Sequence, residues 1–386
     1  MSLLLQTVQL QYIIISMKVL SVFGTRPEAI KMCPLVLELE ANAEIESVVC
    51  LTGQHREMLK QVIDVFDIKV KYDLGIMRAV QTLYTITADI LLSVEKVFKM
   101  EKPDIVLVHG DTTTSFAAAL AAFYQQIPVG HVEAGLRTCD KYSPFPEEMN
   151  RSLTSRIADL HFAPTEDNKK NLVAEGIVDH VYVTGNTVID SFKTTVRENY
   201  TFHDEQLREM QFKGKRLVLV TAHRRENWGQ PLEQICEAII KLRDLYPDME
   251  FVYPVHLNPS VQKTVFNLLA DEERVHLLNP IDVEDIHNLM SRSYLVLTDS
   301  GGLQEEAPAF GIPVLVLRTE TERPEAVEAG TVRVVGIEAE DIADAVKDLT
   351  ENKQVYDGMA SAKNPFGDGK ASGRIVRHLL GWYSER

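Results

Sequence analysis

Short apolar runs alternate with amphipathic helical patterns along most of this chain. In the first half each apolar run predicts a buried parallel strand: Val19–Phe23, Val48–Leu51, Ile105–Val108, Val129–Val132 and Val181–Val183. Helical patterns fall between them, at Pro27–Ala41, Thr82–Met100 and Thr114–Tyr124. Because strands and helices alternate, the first half is predicted to form a parallel sheet with helices packed on its faces.

A second series of the same kind follows a charged, strand-free stretch at Thr194–Gly214, which is predicted to be the connection. Its apolar runs predict further strands at Leu217–Thr221, Phe251–Pro254, Val275–Leu278, Leu295–Thr298, Val314–Leu317 and Val332–Val335. We therefore predict an α/β protein with an N-terminal domain at residues 17–190 and a C-terminal domain at residues 191–368. A last helix within residues 371–386 is predicted to pack back on the first domain, and residues 1–16 are interpreted as an extension.

Composition narrows the class of protein. The net charge of −16 over 386 residues argues against a nucleic-acid partner, whose phosphates require a basic face. The 4 cysteines lie far apart without a CxxC pair, so disulfides and a zinc site are not expected, and a reducing cytoplasm fits. No apolar run is long enough to span a membrane, so no membrane partner is expected either.

Phosphate-binding candidates follow the predicted strands, at the sheet edge where α/β proteins bind ligands. The motif at residues 24–28 brings Arg26 and Lys31 to a helix start, which suits an anion, although a plain turn with solvated cations explains it equally well. Adjacent glycines in Ser300-Gly301-Gly302 let the backbone approach a phosphate, and Glu306 is placed to accept from ribose hydroxyls. Arg323 precedes another helix start and is a further candidate for phosphate or base.

Candidate acid–base groups also follow strands. Asp111 and Glu133 each come directly after an apolar run, and Glu147 and Glu148 open the next predicted helix. Carboxylates that share one cleft repel each other and spread their pKa values, which suits proton donation by one and proton acceptance by another. For Glu147 and Glu148 the alternative is that one of them only complements the helix dipole.

Two histidines complete the candidates. His223 lies between a predicted strand and a run of cations that includes Arg224, so its pKa is expected to be lowered if the cations approach the ring. His256 occupies a similar turn after the next strand and has a weaker claim to function.

Taken together and in this order, the motifs GTRPE, HGDTTT, HVEAGLRT, PFPEEMNR, HRREN, PVHLNP, DSGGLQEE and ERPE resemble those of the non-hydrolysing UDP-N-acetylglucosamine 2-epimerases. The resemblance covers most of residues 17–368 and implies a GT-B-type fold, in which two Rossmann-like domains with parallel sheets face each other across a cleft. It also implies interconversion of UDP-GlcNAc and UDP-ManNAc in a cytoplasmic homodimer. No metal and no cofactor are required, and the product would supply cell-surface polysaccharide synthesis.

The resemblance also assigns residues by motif. It implies that the catalytic residues are Asp111, Glu133, Glu147 and His223, and that substrate is bound by Arg26, Lys31, Ser300, Gly301, Gly302, Glu306 and Arg323. A second, allosteric UDP-GlcNAc site is implied at Gln54, His55, Arg56, Arg224 and His256, with Glu57 standing where some members place a polar amide. The uracil is expected to lie beside residues 280–286.

The chemistry itself limits the mechanism. The hydrogen on sugar carbon 2 is unactivated, so its removal becomes reasonable when UDP departs first and positive character develops at carbon 1. This predicts elimination to 2-acetamidoglucal and re-addition of UDP with the proton on the other face. Asp111 and Glu147 are predicted to transfer protons on opposite faces, while Glu133 orients or stabilises. A GT-B glycosyltransferase, a hydrolysing epimerase and a catalytically inactive sensor are the alternatives.

Overall fold

The computed structural model describes residues 16–53, 56–78, 81–210 and 213–386, without the side chains of Arg56 and Glu57. The predicted extension, apart from Ser16, therefore lies outside the described residues. The first half contains β1 Met17–Phe23, α1 Arg26–Glu40, β2 Ile45–Leu51, α2 Arg56–Val65, β3 Tyr72–Asp73, α3 Leu83–Glu101, β4 Ile105–His109, α4 Thr113–Tyr124, β5 Val129–Val132, α5 Glu147–Ile157, β6 Leu160–Ala163, α6 Glu166–Ala174, β7 Val181–Val183 and α7 Val188–Thr195.

The second half repeats the alternation, with short 3₁₀ helices at Arg225–Asn227 and Ala307–Phe310. Its elements are α8 Glu205–Glu209, β8 Arg216–Thr221, α9 Gln230–Leu245, β9 Met249–Pro254, α10 Pro259–Leu269, β10 Val275–Leu278, α11 Val283–Ser291, β11 Leu295–Thr298, α12 Gly301–Glu306, β12 Val314–Val316, α13 Pro324–Glu328, β13 Val332–Val334, α14 Ala339–Glu351, α15 Lys353–Ser361 and α16 Ala371–Ser384.

The strands form a 7-stranded sheet in the order β3-β2-β1-β4-β5-β6-β7 and a 6-stranded sheet in the order β10-β9-β8-β11-β12-β13. Every strand pairing in the described residues is parallel. We call the part built on each sheet the first lobe and the second lobe. In both lobes the strand order reverses beside the first strand, which opens a crevice at the carboxyl ends of β1 and β4 and of β8 and β11. Those four strand ends carry the motifs GTRPE, HGDTTT, HRREN and DSGGLQEE, and HVEAGLRT, PVHLNP and ERPE follow the neighbouring strands β5, β9 and β12.

The predicted strands are confirmed, and the structure adds two that the sequence analysis missed. β3 has only two residues and therefore no readable pattern. β6 is Leu-His-Phe-Ala, and its polar residue His161 interrupts the apolar run. That ring is buried and bonds the Ser155 carbonyl at 2.8 Å, and burial lowers its pKa. A neutral, hydrogen-bonded histidine can thus occupy a core strand position that the hydrophobic pattern would reject.

Two chain segments connect the lobes, and they cross with their backbones in contact. Gly185 has φ +91°, and an added Cβ there would lie 3.3 Å from the Gly367 Cα. Gly367 has φ +134°, so both crossing positions require glycine. Just beyond the crossings, α7 packs against α1 and α11, one from each lobe, while the domain boundary at residue 190 stays a prediction.

The last helix packs on the first lobe. Ile375, Leu379 and Trp382 of α16 belong to the same buried apolar cluster as Met32 and Leu35 of α1. The backbone N–H groups of Ala371 and Ser372 donate to the Asp190 carboxylate at 3.1 and 3.0 Å, which ties the start of α16 to α7. Among the helices in the described residues, none combines the length and the apolar character needed to cross a lipid bilayer.

Leu379→Ala is expected to destabilise the first lobe by about 3 kcal/mol, because it leaves a cavity between α16 and α1. Urea unfolding followed by circular dichroism measures the change, with Arg377→Ala, at an exposed position of the same helix, as the matched control. Equal stability of the two variants would contradict the packing of α16 on α1.

Candidate active site

The first strand-end loop is organised by a buried carboxylate. Glu28 accepts hydrogen bonds from the backbone N–H groups of Gly24 and Thr25 at 3.1 and 2.8 Å. It also accepts from the hydroxyls of Thr112 and Ser115 at 2.7 and 3.2 Å. Because those hydroxyls lie in the loop after β4, Glu28 joins the carboxyl ends of the two strands that flank the crevice. Its role in the GTRPE motif is therefore structural.

Lys31 and Glu133 meet in this crevice and form an ion pair, with side chains 17% and 14% exposed. The Nε2 of His109 lies 3.4 Å from Glu133 Oε2. Burial alone would raise the pKa of Glu133, but the charges of Lys31 and His109 outweigh it and hold that pKa well below its usual range. Burial would likewise lower the pKa of Lys31, and the charges of Glu133 and Glu305 overcome it and raise the pKa. Both groups are thus charged at neutral pH.

The backbone around Glu133 explains the small residues that follow it. Glu133 itself has φ +61°, in the left-handed region that side chains rarely adopt, and Gly135 has φ +93°. A Cβ on Gly135 would lie 2.2 Å from the Asn168 carbonyl oxygen, so only glycine fits against α6. This tight turn aims the Glu133 carboxylate back over the sheet edge toward Lys31 and His109.

Asp111 is held by the helix that carries Glu147. Arg151, one turn further along α5, donates to Asp111 and also bonds Glu148 at 3.2 Å. Asn150 donates to the Asp111 carbonyl at 2.9 Å. Glu148 is buried and accepts from the backbone N–H groups of residues 138 and 139 at 3.1 Å. Glu147 is half-buried, and within the described residues its carboxylate has no hydrogen bond or ion pair, so it is available to a ligand.

In the second lobe a buried aspartate, Asp299, organises the loop after β8 through hydrogen bonds, as Glu28 does for the loop after β1 in the first lobe. Asp299 accepts from the backbone N–H groups of His223 and Arg224 at 2.8 Å and from the Asn227 side chain at 3.0 Å. The His223 ring stacks on His256 with ring centroids 5.4 Å apart. Burial lowers the pKa of His223, and the charges of His256 and Arg224 act in the same direction, so the ring is neutral at pH 7.

Cations surround the glycine turn after β11. Any Cβ on Gly301 would lie 3.6 Å from a terminal nitrogen of Arg323 and 3.8 Å from one of Arg224. Gly302 leaves room for the Glu306 carboxylate, which lies 3.2 Å from the place of its missing Cβ. The Ser300 side chain makes no capping bond. The glycines thus keep a space open between two guanidinium groups and the backbone.

The two lobes touch through polar groups on both sides of the cleft. Arg26 donates to the Ile281 carbonyl at 3.2 Å, and burial lowers the pKa of its guanidinium. Asn186 donates to Glu133 at 3.0 Å and to Glu305 at 2.7 Å, and Arg323 donates to Glu305. The structure therefore places Arg26, Lys31, Glu133 and Arg323 at one interface between the lobes.

The implied allosteric residues are only partly described. Gln54 and His55 lie outside the described residues, and Arg56 begins α2 without a described side chain. Arg224 and His256 both lie beside His223, with Arg224 also facing the glycine turn.

One group in the described residues has the spacing of metal ligands, namely His203, Asp282 and Asp285. The His203 ring bonds Asp282 at 2.7 Å. Asp285 accepts from the Tyr200 hydroxyl at 2.8 Å and from the backbone N–H groups of residues 203 and 204 at 2.9 Å. These hydrogen bonds give the cluster a structural role, because they join the loop at residues 203–204 to the first turn of α11.

Sequence reasoning missed Asn186 and Glu305 and the structural roles of Glu28, Arg151 and Asp299. Glu28 had a readable signal, because Thr followed three residues later by Glu is the pattern of a capping box, which the structure shows at α1. Asn186 and Arg151 had none, because the carboxylates of Asp111, Glu133 and Glu305 that they bind lie at least 40 residues away in the chain.

A family model described as UDP-N-acetylglucosamine 2-epimerase matches residues 37–380. The UDP-N-acetylglucosamine 2-epimerase of Bacillus subtilis is 54% identical over 372 residues, which cover 96% of this chain and 97% of that protein. The crystal structure of the Neisseria meningitidis enzyme bound to UDP-GlcNAc matches with a TM-score of 0.87 and 52% identity, covering 95% of this chain and 100% of that chain. The chain belongs to the UDP-N-acetylglucosamine 2-epimerase family, and the protein is an isomerase.

The fold is of the GT-B type, with two Rossmann-like lobes. A glycotransferase of kitacinnamycin shares it at a TM-score of 0.62 and 13% identity, a likeness that concerns the fold alone. The predicted fold class is confirmed.

His256→Ala is expected to raise the pKa of His223, because it removes both a stacked ring that buries His223 and a charge that disfavours the protonated form. The His223 ring resonance in labelled protein, followed by NMR from pH 4 to 8, measures this. His378→Ala, which removes a ring stacked on Tyr182 in the first lobe, is the control and is expected to leave His223 unchanged. A lower midpoint in His256→Ala would contradict the arrangement.

Proposed function

We propose that the protein interconverts UDP-GlcNAc and UDP-ManNAc without hydrolysis, by eliminating and re-adding UDP through 2-acetamidoglucal. The observation that carries this proposal is the interface between the lobes, where Lys31, Glu133 and Arg323 converge on one cleft. Diphosphate binding requires cations from both sides, and proton transfer requires carboxylates beside the sugar. The Neisseria relative, which is 52% identical, binds UDP-GlcNAc.

We infer that the diphosphate lies between the glycine turn at residues 300–302 and the cations Arg26, Lys31 and Arg323. The space beside Gly301 that two guanidinium groups face supports this placement. His223 is uncharged at pH 7, so it would serve as a hydrogen-bond partner of the diphosphate rather than as a counter-charge. Glu306 would accept from the ribose.

The uracil is proposed to occupy a cavity of about 520 Å³ in which Pro280, Ile281 and Asp282 form part of the wall. Arg26 also lines that cavity and bonds the Ile281 carbonyl, so the nucleoside side of the cleft adjoins the diphosphate side. Backbone groups of residues 279–282 would supply contacts to the base.

The reaction then proceeds by charge separation across the cleft. The bond from carbon 1 to the β-phosphate oxygen breaks first, and UDP takes the electron pair. A carboxylate removes the proton from carbon 2, and the electrons of that C–H bond form the double bond of 2-acetamidoglucal. On return, a carboxylic acid delivers a proton to the opposite face of carbon 2 as the UDP oxygen bonds to carbon 1.

We assign these two proton transfers to Asp111 and Glu147. Arg151 connects the loop of Asp111 to the helix that begins at Glu147, so the two carboxylates flank the same space. Glu133, held as an anion by Lys31, would stabilise the positive character at carbon 1. Tight coupling between lobes would keep glycal and UDP together until re-addition.

Incubation with UDP-GlcNAc in deuterated water tests this function. UDP-ManNAc is expected to appear, with deuterium at carbon 2 in both sugar nucleotides, as measured by NMR and mass spectrometry. A glycosyltransferase would release UDP without deuterium at carbon 2, and a hydrolysing epimerase would accumulate free ManNAc. Either pattern would reject the proposal.

In the same assay Asp111→Asn and Glu147→Gln are each expected to lose at least about a hundredfold in rate, because each removes one proton-transfer group. A variant that still eliminates but cannot re-add is expected to release 2-acetamidoglucal and UDP. Glu166→Gln, at an exposed position of α6, is the matched control and keeps wild-type activity.

We also propose that the enzyme is a cytoplasmic homodimer, activated by a second UDP-GlcNAc, whose product supplies cell-surface polysaccharides. Exposed apolar side chains on neighbouring helices of the first lobe support a dimer face, with Leu92 64%, Phe123 60% and Tyr124 68% exposed. The proximity of Arg224 and His256 to His223 supports an activator next to the substrate.

Activation by a second molecule predicts a sigmoidal dependence of the initial rate on UDP-GlcNAc concentration. Gln54→Ala is expected to convert the curve to a hyperbola while the maximal rate of deuterium exchange changes little. A hyperbolic curve in the wild-type enzyme would contradict the second site.

A further inference from the structure

Asn186 lies where the two connections between the lobes meet. Its backbone N–H donates to the Phe366 carbonyl at 2.6 Å, and its side chain is buried. The side-chain oxygen accepts from the backbone N–H of Val188 at 3.1 Å. Because a backbone N–H only donates, this bond fixes which end of the amide is oxygen, and the NH₂ group must face the cleft.

That NH₂ group lies between two carboxylates from different lobes. It donates to Glu133 Oε2 at 3.0 Å and to Glu305 Oε2 at 2.7 Å. Each carboxylate has its own cation on the far side, Lys31 for Glu133 and Arg323 for Glu305. The groups are therefore bonded in the order Lys31, Glu133, Asn186, Glu305 and Arg323, that is, cation, anion, neutral amide, anion and cation.

An amide suits this position for a physical reason. Two carboxylates that face the same nitrogen repel each other in a low-dielectric site. An amide NH₂ offers one N–H to each without adding charge. Aspartate here would bring a third negative charge, and alanine would leave Glu305 Oε2 without its donor and Glu133 Oε2 with Lys31 alone.

We propose that Asn186 and Glu305 are positioning residues for the reaction: Asn186 holds the Glu133 carboxylate charged, and Glu305 holds Asn186 and Arg323 in register with it beside the Gly185–Gly367 crossing. This inference rests on the proposed function, because it gives Glu133 a role beside the sugar. Neither residue contacts the reacting atoms; both act through Glu133 and Arg323.

The charges around the pair set the direction of each substitution. Glu133 faces Lys31 of α1, His109 at the end of β4 and the amide of Asn186, whereas Glu305 of α12 faces Arg323, Lys31 and Glu133. Burial raises the pKa of Glu305, and the charge of Glu133 adds to that effect. Removing the Asn186 donor destabilises the charged form of Glu133 and raises its pKa. Glu305 takes up its proton before Glu133 as the pH falls, because burial raises the pKa of Glu305 while Lys31 holds that of Glu133 low, so Glu305→Gln leaves the titration of Glu133 in place.

The test compares Asn186→Ala with Glu305→Gln in the deuterium-exchange assay across pH. The acid limb of kcat/KM is expected to move up by about 1 pH unit in Asn186→Ala and to stay in place in Glu305→Gln, which instead raises KM because Arg323 loses its partner. Asn186→Ala is also expected to lose about tenfold or more in kcat, the effect of withdrawing a hydrogen bond from a charged group. A purely structural role of Asn186 would leave its acid limb at the wild-type pH.

Asn288→Ala is the matched control. Its side chain is buried and donates to the carbonyls of Thr195 and Glu284 at 2.7 and 2.8 Å, away from both carboxylates. It is expected to reduce stability without moving the acid limb. If Asn186→Ala does not fold, as judged by circular dichroism, Asn186→Asp decides instead, because its added negative charge is also expected to move the limb up.

A second readout separates this inference from the proposed function. The carboxyl carbon-13 resonance of Glu133, titrated in protein without substrate, is expected to show the same upward shift in Asn186→Ala. An unmoved titration in that variant would overturn the inference even in an active enzyme. If the wild-type enzyme shows no deuterium exchange at carbon 2 while the shift of the Glu133 titration is present, the proposed function is wrong and the coupling between Asn186 and Glu133 still holds.

Discussion

The structure depends on one constraint: charged groups buried between two lobes must neutralise one another in a fixed order. Two ion pairs satisfy it, Lys31 with Glu133 and Arg323 with Glu305. The amide of Asn186 donates to both carboxylates and so joins the two pairs. Removing any of the four charged residues leaves its partner as an uncompensated charge in a largely buried site. That loss destabilises the protein far more than the intact ion pair stabilises it. The same constraint keeps Lys31 and Arg323 charged inside the protein, because each is paired with a carboxylate.

A second device recurs through the fold. Buried carboxylates accept the backbone N–H groups of two adjacent residues and so pin irregular loops. Glu28, Glu148, Asp190, Asp285 and Asp299 each do this, at loops that border the cleft or start a connecting helix. Such loops have no strand or helix to satisfy their amides, and an anion is the strongest acceptor for them. Part of the acidic excess of this chain thus serves its loops and not its surface.

The two lobes carry the groups proposed for catalysis and for nucleotide binding on different supports. In the first lobe α1 and the loops after β4 and β5 present Lys31, His109 and Glu133, while α5 presents Glu147. In the second lobe the turns after β8 and β11 present His223 and the glycines. The two connections between the lobes cross in backbone contact at Gly185 and Gly367, outside both sheets.

The alternation of apolar runs and helical patterns determined the two parallel sheets, since each buried strand needs a short apolar run and each crossover a helix. Strand-end motifs likewise located the cleft, because parallel strands bring their carboxyl ends to one edge. Only the tertiary structure decided which member of each adjacent acidic pair does what: Glu148 pins a loop while Glu147 stays open, and Glu305 binds Arg323 while Glu306 faces Gly302. Neighbours on a helix point about 100° apart, and which of them is buried depends on partners far away in the chain, as Asn186 does for Glu305.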